Sequence, residues 1–114
     1  MKIECTRFKV KEGKSTQVEE WMEFLNQRMD QVLLTLKGEK MYIETIFREV
    51  QNEAEYLYWY SIQGEGGIEV TDSNHEIDQL HLQYWDECID KNYRPIDLEM
   101  KVSMIPEKIR REMV

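Results

Sequence analysis

The stretch Ser73–Ile89, SNHEIDQLHLQYWDECI, decides the fold. Ser73 is a good N-cap, and Glu76 three residues later completes a capping box. Ile77, Leu80, Tyr84 and Cys88 recur at helical spacing and form an apolar stripe. The segment therefore predicts an amphipathic helix that packs its stripe on a sheet built by the rest of the chain. Both histidines of the chain fall in this helix. His75, Asp78 and His81 follow at three-residue steps along one side, with Trp85 beside them. Two imidazoles and a carboxylate on a half-apolar face form a candidate proton-transfer set, or alternatively a metal site. The metal alternative has the weaker pattern. Zinc-protease helices carry their histidines at i and i+4 with Glu between them, whereas here the separation is six. The structural alternative is that Asp78 serves the helix dipole and His81 is a core-edge histidine bonded to a neighbouring group.

Working outward, residues 2–10, KIECTRFKV, predict a first strand, followed by a turn around Gly13. Thr16 with Glu19 reads as a second capping box. Val18, Met22, Leu25, Met29, Val32 and Leu36 then predict one long amphipathic helix ending at Gly38. Met41–Val50 and Ala54–Gln63 predict a β-hairpin. In the first of these strands Tyr42, Glu44, Ile46 and Arg48 share a face. In the second, Tyr56, Tyr58, Tyr60 and Ile62 alternate with Leu57, Trp59 and Ser61. The glycine-rich loop QGEGGIEVTD, residues 63–72, lacks the Lys-Ser/Thr ending of a phosphate loop and carries carboxylates instead. It reads as a loop over a pocket mouth. Ile96–Ile105 predicts a fourth strand, and Pro106 opens a short terminal helix.

The order strand, helix, strand, strand, helix, strand is that of the ferredoxin-like βαββαβ arrangement. It is an α+β fold in which two helices cover one face of a four-stranded antiparallel sheet. Residues 1–114 form a single such domain, with no internal repeat or linker. The opposite sheet face keeps aromatic and aliphatic side chains, which predicts a homodimer through that open face. The net charge of −8 argues against a nucleic-acid partner, which calls for a basic surface. No apolar run approaches a membrane span, and no signal-peptide core is present at the N-terminus. Cys5 and Cys88 stand far apart in the sequence and read as free thiols of a cytoplasmic protein.

The segment Arg7-Phe8-Lys9-Val10-Lys11-Glu12-Gly13-Lys14 resembles the opening of the dimeric α+β barrel proteins. That superfamily includes antibiotic-biosynthesis monooxygenases and rhamnose mutarotases. TRFKVKEGK (6–14), EYLYWYSIQGEGG (55–67) and HEIDQLHLQYWDECID (75–90) carry a closer resemblance to a small bacterial family of unknown function. The resemblance implies a pocket between helices and sheet. It places His81, Asp78 and Trp85 near that pocket and transfers no catalytic residue. The expectation that follows is a cofactor-free enzyme of isomerase or monooxygenase type acting on a small organic ligand. His81, Asp78 and His75 are its candidate proton-transfer groups, and Glu44, Arg48, Tyr58 and Trp85 its candidate ligand contacts. The alternatives are a non-catalytic ligand-binding or structural homodimer, and a metal-binding protein using His75, Asp78 and His81.

Overall fold

A computed structural model describes residues 1–114. The hairpin expected from the alternating runs forms from β2 (Met41–Gln51) and β3 (Ala54–Gln63). Its turn residues Asn52 and Glu53 both have positive φ, 51° and 65°. Two left-handed residues in a two-residue loop match the twist of the flanking strands. The β1 strand (Lys2–Lys9) pairs antiparallel with β3, and the short β4 (Ile96–Asp97) pairs antiparallel with β1. The sheet order is therefore β2-β3-β1-β4, the ferredoxin-like order.

The helical layer differs from the single long helix that the spacing predicts. Two helices, α1 (Ser15–Gln27) and α2 (Met29–Glu39), meet at Arg28, whose φ of −105° and ψ of 27° leave the helical region. No Pro or Gly marks this break. It lets α1 lie along α3 (Glu76–Cys88) while α2 reaches back to β2. Nor is Gly38 the terminator. It stays helical, with the side chain of Ile68 over it, and Lys40 takes the left-handed capping position at φ 53°.

Neither predicted capping box forms. In place of a box, the Ser73 hydroxyl accepts the backbone N–H of His75 at 3.1 Å, and α3 starts at Glu76. Ser73 is thereby buried in a turn ahead of the helix.

The fourth strand stops after two residues, although a strand over 96–105 is predicted. The backbone N–H of Leu98 still reaches the Cys5 carbonyl at 2.8 Å, but no further pairing follows. The register supplies a reason. Thr6 faces Asp97, so continuing the ladder would set Glu4 against Glu99 and Lys2 against Lys101. Like charges directly opposite destabilise a strand pair. In the structure each charge is neutralised within its own segment instead, Lys2 with Glu4 at 2.6 Å and Lys101 with Glu99 at 2.9 Å. Beyond Leu98 the chain runs unpaired to the one-turn helix α4 (Glu107–Arg110).

The core lies between sheet and helices. Trp21, Val18, Leu57 and Cys88 are fully enclosed, and Phe8, Trp59, Tyr84 and Trp85 pack against them. Trp85 meets Phe8 edge-on at 4.7 Å and Trp59 at 5.3 Å. Edge-to-face pairs of this kind add about 0.5–1.5 kcal/mol each beyond burial of their area. No helix is long and apolar enough to cross a membrane. Only 12 of 114 residues are buried, and on the second sheet face Tyr93 packs on Arg7 and Tyr56 while Phe47 stays exposed.

Candidate functional site

Strand alternation decides which side chains meet the helices. Glu44 is paired with Ser61 and Ile46 with Trp59 across the hairpin, and Phe8 faces Leu57 across β1 and β3. This set lies under α1, α2 and α3. Between them a cavity of about 790 Å³ opens, within the size range of small-molecule sites. Its wall includes Glu44 and Trp59 from the sheet, Glu39 from α2, Glu69 from the loop, and Asp78, His81 and Trp85 from α3.

His81 is held by its neighbours. The indole N–H of Trp21 donates to His81 Nδ1 at 3.0 Å, and the ring sits between Trp21 and Trp59, with centroids 5.4 and 5.7 Å away. A neutral imidazole whose Nδ1 accepts must carry its proton on Nε2. Burial pushes the His81 pKa down, and Asp78 opposes that shift only in part. Protonation at Nδ1 would also set two donors against each other. His81 is therefore a neutral hydrogen-bond donor through Nε2, not a reservoir of positive charge.

The carboxylates behave in the opposite sense. Glu39 is only 8% exposed. Burial, reinforced by Glu44, Asp78 and Glu69, raises its pKa from 4.5 to about 7. Burial also raises Glu44, while the Trp59 indole N–H, donating to its Oε1 at 2.7 Å, pulls it back. Asp78 is 6% exposed, and its Oδ2 has no hydrogen-bond partner. An unpaired buried acceptor of this kind costs on the order of 1–3 kcal/mol.

The sequence candidates divide accordingly. Asp78, His81, Glu44 and Trp85 converge on the cavity. His75 does not: it is the exposed N-cap residue of α3 with extended backbone, so three-residue spacing does not carry it onto the helix face. Arg48 shares the strand face of Glu44 but lies exposed beyond the cavity, paired with Glu55. Tyr58 projects from the other sheet face, where its hydroxyl donates to Glu49 at 2.8 Å. The metal alternative does not assemble. No three His, Cys, Asp or Glu side chains are grouped to hold an ion, because His75 points away and His81 Nδ1 is taken by Trp21.

Glu39 and Trp59 are cavity residues that the sequence reading passed over. Both had a signal. Glu39 continues the Val32–Leu36 stripe at helical spacing, and Trp59 lies on the β3 face opposite the tyrosines. The loop 63–72 closes over this end of the cavity. Its approach is so tight that a Cβ on Gly67 would lie 2.0 Å from the Glu39 carbonyl oxygen. Ile68 N–H donates to the Gly38 carbonyl at 3.1 Å, and Gly64 N–H to that of Lys40 at 2.8 Å.

A family profile described as a family of unknown function, DUF6176, matches residues 1–111. The chain belongs to that family. For this DUF6176 protein, no curated protein gives a significant match. Among solved structures it is similar to a crystal structure of an L-rhamnose mutarotase from Formosa agariphila. The identity is 17%, the match covers 92% of this chain and 100% of that one, and the TM-score is 0.57. At that identity the likeness is one of fold, and it agrees with the ferredoxin-like α+β topology.

Proposed function

We propose that the cavity is the active site of a small isomerase that moves protons on a bound organic molecule without an organic cofactor. The observation that carries this reading is Glu39. A carboxyl whose pKa stands at about 7 is present in both protonation states near neutrality and can give or take a proton. Glu44 is a second carboxyl, oriented by the Trp59 indole. His81 Nε2–H offers a fixed donor, and Trp59 and Trp85 offer flat apolar walls.

Anomer exchange of an aldose is a reaction that suits these groups, and the mutarotase fold likeness makes it the first to try. A base takes the proton of the anomeric hydroxyl while an acid protonates the ring oxygen. The bond between the anomeric carbon and the ring oxygen breaks to the open aldehyde. Reclosure on the other face returns both protons. Glu44 suits the base role and Glu39 the acid role, with the His81 donor steadying an oxygen of the substrate. The test is NMR exchange spectroscopy on a panel of aldoses at pH 7. At least one aldose should interconvert at least 10-fold faster with the protein than in buffer, and E39Q and E44Q should remove most of the gain. If every aldose exchanges at the buffer rate, this reaction is excluded, and a ligand that still binds the cavity would make the protein a binding module.

The same reading includes a second copy of the chain on the open sheet face. Ile43 and Phe47 are exposed there, on the face of Tyr56, Tyr58 and Tyr60, and these apolar side chains support a subunit completed by association. Sedimentation should give a dimer at micromolar concentration; a monomer would remove this part. Free Cys5 and Cys88 fit a reducing, cytoplasmic compartment.

A further inference from the structure

We infer that the ligand of this cavity is amphipathic, with a hydroxylated head at the Glu39–Glu44 end and a hydrocarbon arm along the wall that α1 and α2 build from Met22 to Leu36. The inference rests on the proposal that the cavity is a small-molecule site, and it adds the length and polarity of the molecule.

The two helices give the cavity a wall of one chemistry and an end of another. Met29, Val32, Leu33 and Leu36 line it from α2, and Met22 and Leu25 extend the same wall onto α1. Steps of three and four residues bring these side chains to one side. Thr35 also lines the wall, but its hydroxyl is used within its own helix, donating to the Val32 carbonyl at 2.8 Å. The one other polar residue that these helices place on the wall ahead of Glu39 is Asn26, which is exposed in the last turn of α1. Glu39 then ends the wall. β2 starts two residues later, so Glu44 and its cross-strand partner Ser61 line the sheet side of that same end. Met29 and Glu39 are ten residues apart, which is about 15 Å of helix. A ligand that meets both ends is longer than one sugar ring, and a cavity of about 790 Å³ has room for it.

Exposure points the same way. Met29 and Leu33 line the cavity yet are 40% and 55% exposed, whereas Glu39 is buried. The rim is therefore apolar where the end is polar. Hydroxyls laid along this wall would find no free donor or acceptor, and each one desolvated without a partner costs binding energy. A hydrocarbon arm has no such cost and gains by covering the rim. The second copy proposed above sits on the other sheet face and leaves this wall open. The wall runs without a break into the polar end of the same enclosed space, which fits one small molecule better than a protein segment. Joined to the proposed reaction, the fitting substrate class is a reducing sugar that carries an acyl, alkyl or aryl group away from its anomeric carbon.

The test uses glucose and its 6-O-acetyl, butanoyl, hexanoyl and octanoyl esters, each below its micelle concentration. They are titrated at pH 7 into the whole protein while the methionine methyl and tryptophan indole signals are followed by NMR. Met22 and Met29 report on the wall, and Trp59 and Trp85 on the rest of the cavity. Met100 and Met104 serve as controls, since they lie in a separate groove beside Ile3 and Cys5. Full burial of a methylene tightens binding about fourfold, so this half-open wall should give at least twofold per methylene. The longer esters should shift Met22 and Met29 and leave Met100 and Met104 in place. L33S should lower octanoyl affinity severalfold, and L34S, an equally exposed site outside the wall, should not. Indole shifts with an affinity that ignores chain length would overturn the inference and leave the pocket reading standing. Shifts at Met100 and Met104 in place of Met22 and Met29 would put the arm outside the cavity and also overturn it. If Met22 and Met29 moved with protein concentration alone, a second copy would cover the wall and the inference would be wrong. No response to any probe would overturn both readings. The ester series in the unmutated protein decides the matter even where a variant fails to fold.

Discussion

Replacing Glu39 with Gln should make the protein more stable above neutral pH and change little near pH 5. Glu39 is close to its unfolded value of 4.5 when the chain is denatured and at about 7 when it is folded. A carboxyl whose pKa is raised on folding binds more protons in the native state. Stability therefore falls as pH rises through the window between 4.5 and 7, and the full cost is present above it. The shift corresponds to an upper limit of roughly 3 kcal/mol at 1.36 kcal/mol per unit. Solvent reaching the carboxyl through the cavity mouth lowers this to about 1–2 kcal/mol. E39Q removes the titration but keeps the shape. Urea unfolding of both proteins at pH 5, 6, 7 and 8 measures the difference. The stability gain of E39Q should grow by about 1–2 kcal/mol between pH 5 and pH 8. A constant difference across that range would refute the reasoning, since it would mean that Glu39 titrates alike in the folded and unfolded chain. A reversed slope would mean that a cation already neutralises it.

Trp21→Phe should cost about 2–3 kcal/mol, because it leaves His81 Nδ1 without its donor and thins the core. In the unmutated protein the imidazole NMR signals of His81 should show the Nε2–H tautomer and titrate below 6.5. Because the folded value is depressed, this group stabilises the protein above 6.5 relative to lower pH, and that stability is lost as pH falls below it. Gly67→Ala should cost about 2–3 kcal/mol in urea unfolding, since the new methyl would meet the Glu39 carbonyl oxygen and lift the loop; a loss under about 0.5 kcal/mol would show that the loop yields freely. The double exchange E99K/K101E should lengthen β4, because it sets opposite charges across from Glu4 and Lys2. Hydrogen exchange at residues 99–102 should slow at least severalfold; unchanged exchange would mean that charge does not end the strand.

Much of the fold was legible because its signals are local. Alternation in residues 41–50 and 54–63 needs no tertiary information to announce two strands, and the hairpin follows from their short link. The stripe Ile77–Leu80–Tyr84–Cys88 announced α3 in the same way. The places where reading failed are those where local signals were overruled. The stripe continues unbroken past Arg28, yet the two halves pack against different neighbours and the backbone bends there. Ser73 has the chemistry of a cap, but it is spent on the turn before His75. The alternation in residues 96–105 is genuine, but strand pairing depends on which residues of β1 stand opposite.

The candidate site shows the same division. Spacing along α3 was enough to bring Asp78, His81 and Trp85 to one side, since helical geometry ties neighbours three and four apart. It failed for His75, because that residue precedes the first helical turn. Glu44 and Arg48 share a strand face, but only the middle of that face lies under the helices, so Glu44 meets the cavity and Arg48 meets solvent.

From its own order of apolar and polar residues, this sequence determines the first three strands, the helix after the glycine-rich loop and the ferredoxin-like succession of the fold. These depend on periodicity, a property of neighbours in the chain. Tertiary structure alone decides that carboxylates from β2, α2 and α3 share one enclosed space without a basic residue, that Trp21 sets the tautomer of His81, and that Glu39 is held near neutrality. Such properties come from desolvation and from charges distant in sequence, and both act through space.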